Sequence, residues 1–245
     1  RDDVESRGLG DVYKRQILDR EYAAMLYHTL LSKDLEALGI ISPEALILSL
    51  SHWHPFIKEL EAFLTMQENA LSFLPQSPGV LYPCALEVYC HYTRNQIFAA
   101  LGYDHPSSIR EGVKFMTPEK SFAVTHPTDV FLVTLNKSDR DFSETTRYED
   151  YSIDRMTFHW QSQSTTTPHS KTGQRYERLC REKEKAGYIL LFVRENKKDA
   201  YGGTQSYTFL GRVSIERLQG SQPMTAILKL ALPLSAGLLT ETDAS

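Results

Sequence analysis

The sequence predicts an α+β fold in which an N-terminal helical coupler precedes a small mixed or antiparallel β-barrel. Residues 17–73 repeat apolar side chains at three- and four-residue spacing, as amphipathic helices do. Four later runs are short, apolar and rich in β-branched residues, which is typical of buried strands. The segments between these runs have the composition of loops rather than of long crossover helices. This order favours a sheet that curls on itself over a doubly wound sheet.

The composition excludes several classes of protein. The chain has 245 residues, of which 41% are hydrophobic and 24% charged, and its formal net charge is -4. A protein that coats nucleic acid non-specifically needs an excess of Lys and Arg, so any nucleic-acid contact must use a local patch. Cys84, Cys90 and Cys180 fit neither a zinc site nor a disulfide framework, which indicates reduced thiols in a cytoplasmic protein. No apolar run approaches the roughly 20 residues that span a bilayer, and no signal peptide is evident, so we expect no membrane partner.

The first segment, residues 1–16, has neither helical nor strand periodicity. Its portion from Ser6 to Gln16 resembles translated sequencing-adapter text. We therefore expect the chain to be a fragment of a longer protein, and we exclude this segment from fold reasoning. The alternative is a disordered natural terminus.

Residues 17–74 are predicted to form the helical coupler. After a first amphipathic helix, Ser42 and Pro43 supply an N-cap and a first-turn proline for a second. A third helix is expected from Pro55 to about Phe73. Its buried side is expected to comprise Phe56, Leu60, Phe63, Leu64 and Leu71. The preceding His52-Trp53-His54 has no Cys or carboxylate at a ligand spacing, which indicates packing or surface residues and no metal site.

Residues 75–82 are expected to be a linker, because two prolines and a glycine interrupt the periodic pattern between positions 74 and 79. A second domain then covers residues 83–245. Helices are predicted at Pro83–Tyr92 and Arg94–Leu101. The second of these has a capping-box pattern, Thr93 with Gln96, and a stop at Gly102.

The strands of this second domain follow in sequence. The predicted runs are Asp129–Leu135, Gly187–Arg194, Ser206–Val213 and Thr225–Leu232. A loop that contains Gly202 and Gly203 separates the second and third runs, which suggests a hairpin. Between the first and second runs lies the tract Phe158–Tyr176. It runs from an aromatic pair into amides, hydroxyls and basic residues without evident period, and it is therefore predicted to be a ligand-binding insertion between strands.

Six blocks of the chain resemble a known family. They are Leu135–Asp139, Tyr148–Tyr151, Phe158–Ser164, Ser170–Tyr176, Leu190–Arg194 and Tyr207–Gly211. These blocks resemble the domain of unknown function 3427 family, the C-terminal region of bacterial superfamily 2 helicases, many of which begin with a phospholipase-D-like nuclease module. In related type IV, modification-dependent restriction enzymes this region is a reader of modified cytosine and is similar to SRA or PUA-like barrels. The resemblance therefore implies two partners, DNA that carries a modified cytosine and the helicase core of the parent protein.

The tract Phe158–Tyr176 contains side chains suited to that task. An extruded base needs a stacking surface and polar groups for its edge. Phe158, Trp160 and Tyr176 are candidate stacking surfaces, and the nearby amides and the hydroxyls of Ser162, Ser164, Thr165 and Thr166 are candidates for bonds to base or phosphate. From Lys171 to Lys185, six basic residues against three acidic ones leave a local charge of +3. The candidate nucleic-acid-binding residues are Phe158, His159, Trp160, Gln161, Gln163, Ser164, Lys171, Thr172, Gln174, Arg175 and Tyr176.

A structural alternative stays open for the same residues. Phe158 and Trp160 could be buried in the barrel, while Arg178–Lys185 forms an ordinary solvated helix with ion pairs.

No catalytic set can be assembled from the sequence. The chain has no Gly-x-x-x-x-Gly-Lys-Ser/Thr loop, no Asp-Glu-x-His-like box and no His-x-Lys motif, so we assign neither ATPase nor nuclease activity and no cofactor. His159 has no recognisable catalytic partner. Asp129 with Glu182, Glu184 and Lys185 superficially suggests a metal-dependent nuclease, but that chemistry requires the second acid and the lysine on a neighbouring strand. The leading hypothesis is a non-catalytic DNA-binding region, with a coupling module that docks on the helicase core, or a nuclease, as alternatives.

Overall fold

The computed structural model describes residues 15–16, 19–31, 39, 42–70, 74, 76–103, 105–110, 112–136 and 150–234. The helices are α1 (residues 19–30), α2 (Pro43–Ser51), α3 (His54–Asn69), α4 (Arg94–Ala100) and α5 (Lys171–Glu182). The strands are β1 (His91–Tyr92), β2 (Val113–Met116), β3 (Thr128–Thr134), β4 (Tyr151–Ser152), β5 (Thr157–Gln161), β6 (Tyr188–Arg194), β7 (Tyr207–Gly220) and β8 (Met224–Leu230). The proposed adapter segment falls, apart from residues 15–16, outside the described residues.

The strands form one eight-stranded mixed sheet. Its order is β2-β3-β6-β7-β8-β5-β4, and β1 pairs with β7 beside this path. β3 and β6 run parallel, in register from Thr128 opposite Tyr188 to Thr134 opposite Arg194. Because parallel neighbours need a crossover, the chain between them makes β4, β5 and α5 before it returns. The α+β class, the mixed sheet and the β6–β7 hairpin are confirmed.

The sheet separates two apolar clusters. Val130 and Leu132 of β3 face a cluster that contains α4, whereas Phe131 and Val133 face a second cluster that contains α5. Every residue of β3 and of β6 is buried, which explains why these strands are continuous apolar runs in the sequence.

The long strand β7 curls the sheet around the second cluster. It pairs with β1 and β6 near its start and with β8 along the rest of its length, and its register shifts between Leu191 and Phe192 and between Ile215 and Arg217. Gly211 lies at the bend with φ +88°, and a Cβ there would lie 3.0 Å from a methyl carbon of Val88. Such bulges increase bending and twist, so the sheet forms an open, curled half-barrel.

Several local predictions are confirmed. The Ser42 hydroxyl accepts a hydrogen bond of 3.2 Å from the Ala45 amide at the start of α2. At α4 the capping box is complete, since Thr93 Oγ1 accepts from the Gln96 amide and Gln96 Oε1 accepts from the Thr93 amide. Gly102 follows the end of α4 with φ +66°.

One predicted helix is absent, and another is present but does not have the predicted buried side. Residues 83–92 are not helical, because their backbone bonds to distant partners: the Val88 amide donates to the Gln76 carbonyl and the Tyr89 amide to the Phe209 carbonyl, both at 2.7 Å. α3 exists but buries none of its residues. Phe63 and Leu64 on its predicted buried side are 53% and 52% exposed, and Leu71 lies outside the described residues.

α1 and α3 of the predicted coupler differ in burial, since α3 buries none of its residues. α1 packs against the sheet domain through buried Glu21, Ala23 and Tyr27, and Glu21 Oε2 accepts a 2.9 Å hydrogen bond from the Ala85 amide. Burial raises the pKa of Glu21 to about 8. The proposed boundaries at 17–74, 75–82 and 83–245 remain predictions, although α1 contacts residues beyond the linker. No helix among the described residues has the length and apolarity to cross a bilayer.

Candidate nucleic-acid interface

The tract Phe158–Tyr176 is built from a strand, a polar turn and the start of a helix. Residues 158–161 belong to β5, residues 162–170 form the turn, and Lys171 begins α5. The tract is therefore only partly the insertion that the sequence predicted. β5 alternates half-buried and buried positions, so its side chains point alternately to the two faces of the sheet.

The three aromatic rings are not open stacking surfaces. Phe158, Trp160 and Tyr176 are 0%, 3% and 1% exposed. The Trp160 ring stacks on Phe131 with centroids 4.2 Å apart and meets Tyr176 edge-on at 5.5 Å. The expectation that these rings hold a base is therefore wrong. Phe158 and Trp160 lie at inward-facing positions of β5, and Tyr176 lies on the apolar side of α5, so all three rings pack in the second cluster. This burial agrees with the structural alternative.

Their sequence neighbours lie on the other side of the sheet. His159 and Gln161 are half-buried at the outward positions of β5. The His159 ring stacks on Tyr151 of β4 with centroids 4.6 Å apart. The Gln161 amide donates to Asp150 Oδ1 at 2.9 Å. The structure therefore does not bring His159 and Gln161 together with the residues of α5.

The polar turn uses several of its hydroxyl and carbonyl groups internally. Buried Ser162 accepts from the Met224 amide, and buried Thr166 accepts through its carbonyl from the Gln222 amide. The Ser170 hydroxyl caps α5 by accepting from the Gly173 amide at 3.1 Å. Ser162 and Thr166 are thus unavailable as open ligand contacts, whereas Gln163 and Thr165 are exposed and Ser164 and Thr172 are half-buried.

The polar side of α5 lines a cleft with a volume of about 390 Å³. Lys171, Gln174, Arg175 and Arg178 recur at three- and four-residue spacing, which places them on one side of the helix. The opposite wall comprises Phe115, Pro127 and Asp129. We call this the α5 cleft. It unites three predicted binding residues, Lys171, Gln174 and Arg175.

An ion pair fixes the floor of the α5 cleft. Arg175 Nε and Nη2 donate to the Asp129 carboxylate at distances from 2.8 to 3.2 Å. The guanidinium carbon also lies 4.2 Å from the centroid of the Phe115 ring. Burial raises the pKa of Asp129, while the hydrogen bonds from Arg175 act in the opposite direction. The bidentate geometry is that of an ionised carboxylate with a guanidinium, so we take the pair as charged.

The bonds to Asp129 use Nε and Nη2 of Arg175, and the side chain keeps 22% of its surface exposed. The arrangement resembles the way an acidic group orients an Arg for an anionic ligand. Lys171 at the helix start is exposed and forms no ion pair with the described part of the chain.

Other basic residues near the α5 cleft are partly neutralised. Arg178 and Arg181 both contact Glu182, and the hydrogen bond from Arg178 lowers the pKa of Glu182. Lys183 pairs with Glu216 at 3.4 Å. The predicted local excess of positive charge is therefore concentrated at the start of α5 rather than at its end.

The structure gives no support to the nuclease alternative. Asp129 is engaged by Arg175, and Glu182 and Glu184 lie on α5 and the following short helix rather than on a strand next to β3. Within the described ranges no group of three or more His, Cys, Asp or Glu side chains could hold a metal ion.

Two contributors were not singled out as ligand contacts from the sequence. Phe115 contacts Arg175 only because β2 pairs with β3, and Tyr151 contacts His159 only because β4 pairs with β5. For Tyr151, the local signal is the alternation of large and small side chains in Tyr151-Ser152-Ile153, in which Tyr151 and Ile153 are exposed and Ser152 is buried.

Fold and site together define an α+β module with a curled mixed sheet and a basic cleft beside its parallel strand pair. The chain belongs to the family described as "Domain of unknown function (DUF3427)", whose model matches residues 86–241. Comparison with curated proteins gives no significant match.

Three solved structures illustrate more distant likenesses. KRYPTONITE in complex with mCHG DNA and SAH is 14% identical, with a TM-score of 0.42 over 92% of this chain and 45% of that chain. SUVH9 is 10% identical, with a TM-score of 0.40 over 92% of this chain and 43% of that chain. The MspJI restriction endonuclease in complex with a 27-mer oligonucleotide is 18% identical, with a TM-score of 0.31 over 50% of this chain and 33% of that chain. The matches span less than half of each of these longer chains, and likenesses this distant transfer no function.

Proposed function

We propose that the chain is a non-catalytic DNA-binding module that distinguishes DNA carrying a modified cytosine. The observation that carries the DNA-binding part is the α5 cleft, in which Lys171 and an oriented Arg175 face solvent together. The specificity for modified cytosine rests on the resemblance of the six sequence blocks to the C-terminal region of modification-dependent restriction enzymes. We further propose that the module serves a parent helicase or restriction protein that supplies the motor.

The chemistry of the α5 cleft suits a phosphate of the DNA backbone. A phosphate oxygen can accept from Arg175 Nη1 while the Asp129 carboxylate holds the other two nitrogens. Lys171 lies one helical turn away and supplies a second positive charge. Because Asp129 neutralises part of this charge, the α5 cleft binds one or two phosphates, and contacts elsewhere on the module must recognise the base.

The experiment measures binding of the chain to duplexes that contain methylated, hydroxymethylated or plain cytosine across a salt series. We expect tighter binding to at least one modified duplex. Lys171→Ala should weaken binding to all three duplexes and reduce the slope of log K against log salt concentration by about 0.9, the value for one lost phosphate contact. Lys198→Ala, in the exposed β6–β7 loop, is the matched control and should change neither quantity.

The outcomes separate the parts of the proposal. Equal, negligible binding to all three duplexes would discard the DNA-binding function. Salt-dependent binding without preference for a modification would leave a general DNA clamp and discard the reader function.

A second candidate function is docking on the helicase core without DNA contact. The observation that favours it is the apolar surface of α3 and its start, where Trp53, Phe63, Leu64 and Met66 are between 52% and 69% exposed. Exposed apolar patches of this kind commonly mark interaction sites. Capture of the parent motor core by the chain should then be lost in Phe63→Ser/Leu64→Ser and retained in Lys171→Glu. The reverse pattern would reject docking through α3.

A further inference from the structure

The outward side of the curled sheet presents three rows of side chains across neighbouring strands. The strand register places Arg217, Ile227, His159 and Tyr151 directly opposite one another in turn, on β7, β8, β5 and β4. Ser214, Lys229 and Thr157 form the row on one side, and Gln219, Thr225 and Gln161 form the row on the other. Residues in one such row share a face of the sheet, and we call these ten side chains the outer face.

The outer face is separate from the α5 cleft. Phe158 and Trp160, the inward neighbours of His159, pack in the cluster that contains Tyr176 of α5. α5 therefore covers the inner side of β5, and His159 points to the opposite side of the sheet.

The charge of the outer face contrasts with that of the chain. None of its ten side chains is acidic, and Arg217 and Lys229 are both exposed cations without an ion pair to a described residue. The exposed Glu216 in the bulge of β7 accepts a hydrogen bond from Ser214, and its charge is matched by Lys183 at 3.4 Å. The chain as a whole has a formal net charge of -4. A locally basic, amide- and hydroxyl-bearing surface on an acidic protein is complementary to a polyanion with hydrogen-bonding edges.

The middle row of the outer face carries an aromatic stack. The Tyr151 and His159 rings lie nearly parallel, at an interplanar angle of 13° and a centroid distance of 4.6 Å. Tyr151 lies on the edge strand of the sheet and keeps 42% of its surface exposed. A planar ring that stacks on Tyr151 would extend the existing pair, and nucleobases stack on exposed aromatic side chains in this manner.

We propose that the outer face binds single-stranded nucleic acid, with an unpaired base stacked on the Tyr151–His159 pair and the adjoining phosphates at Arg217 and Lys229. An unpaired strand is the occupant because a duplex hides its base faces, whereas sheet surfaces with exposed aromatics accept splayed bases. Four strands at a spacing of about 4.8 Å give a surface roughly 15 Å wide, which suits two or three nucleotides. This site is independent of the α5 cleft and does not require the recognition of modified cytosine.

The test measures binding of labelled oligothymidylate and oligouridylate to the 245-residue chain by fluorescence anisotropy, with a duplex of matched length in parallel. Tyr151→Ala should weaken binding of the single strand about tenfold, the loss typical of one stacked base. Tyr201→Ala is the matched control, because Tyr201 is 98% exposed in the β6–β7 loop and lies outside the outer face. Arg217→Ala/Lys229→Ala should reduce the salt dependence of single-strand binding, whereas Lys171→Ala should affect only the duplex.

The outcomes decide the proposal whether or not the module reads modified DNA. Preference for oligouridylate would identify RNA as the source of the strand, and equal affinity would indicate recognition through base faces alone. The proposal is overturned if the wild-type chain fails to bind either single strand, or if Tyr151→Ala and Tyr201→Ala bind equally well. His159→Ala provides a second variant should Tyr151→Ala alter the far-ultraviolet circular dichroism, and it should also weaken single-strand binding. Capture of a protein through the outer face without oligonucleotide binding would likewise reject it.

Discussion

Arg175 of α5 holds Asp129 of β3 with two nitrogens, at distances from 2.8 to 3.2 Å, across 46 residues of sequence. The pair connects the helix to the strand at the end where the parallel β3–β6 register begins. One contact therefore fixes both the crossover helix and the guanidinium of the α5 cleft.

Removing the cation of this pair should destabilise the fold. Arg175→Ala leaves the Asp129 carboxylate, whose side chain is 2% exposed, without its partner, and we expect the free energy of unfolding to fall by about 3–5 kcal/mol. Urea denaturation measures the loss. Arg181→Ala, at a side chain that is 73% exposed, should cost less than about 0.5 kcal/mol. The Asp129→Ala/Arg175→Ala double variant should lose less than the sum of its single changes, and strict additivity would show that the pair is not coupled.

Adjacent substitutions on β5 should differ sharply in their effect on stability. Trp160→Ala removes a ring that packs between Phe131 and Tyr176 and should lower the free energy of unfolding by about 3–5 kcal/mol. His159→Ala, on the opposite side of the strand, should cost less than about 1 kcal/mol. Thermal and urea unfolding of both variants provides the measurement. Similar losses in the two variants would contradict the assignment of faces.

Gly173 should not tolerate even a methyl group. Alanine normally stabilises a helix interior relative to glycine by about 1 kcal/mol. At this position of α5, however, a Cβ would lie 1.9 Å from the Thr167 carbonyl oxygen, so the turn or the helix must move. We expect Gly173→Ala to destabilise the protein by about 1–3 kcal/mol. Gln174→Ala, at the neighbouring exposed position, is the control and should be neutral or slightly stabilising in the same unfolding experiment.

Docking of α1 should depend on pH through Glu21. Burial raises the folded-state pKa of this carboxyl from 4.5 to about 8. The folded state therefore keeps a proton that the unfolded state releases, and stability should fall as pH rises through that window, by at most ~1.4 kcal/mol per pH unit. Glu21→Gln retains an acceptor for the Ala85 amide and should flatten the profile. Unfolding midpoints across the pH range are the measurement.

A matched variant isolates the effect of Glu21. Glu68→Gln, at an exposed position on α3, should leave the pH profile of the wild-type protein unchanged. A profile for Glu21→Gln as steep as that of the wild type would show that other groups control the dependence.

Local signals in the sequence were sufficient for the central strands. β3 and β6 are buried on both faces, so their apolar runs identify them without knowledge of their neighbours. The capping box at Thr93 and Gln96 likewise involves residues three apart. Pro83–Tyr92 has a composition that suits a helix, but its backbone instead forms hydrogen bonds to Gln76 and Phe209, which are distant in sequence. Local sequence patterns do not identify such distant partners.

The candidate site was predictable only in part. Lys171, Gln174 and Arg175 are close in sequence and share a helix side, so local spacing brings them together. Phe158 and Trp160 were misplaced because the period of two in β5 lasts only five residues before the polar turn begins. Arg217 pairs with Ile227, and Ile227 pairs with His159, because of the strand register. That register cannot be predicted from the residue types alone.

The two faces of β5 have different roles, and this affects how the ligand preference of such a module can change in evolution. Its inward positions are constrained by the ring packing of Phe158 and Trp160, whereas the outward His159 and Gln161 carry little of that packing. New ligand preferences can therefore arise at alternate positions of one short strand while the intervening residues keep the protein folded. Along β5, the outward positions should therefore tolerate substitution better than the inward positions that alternate with them.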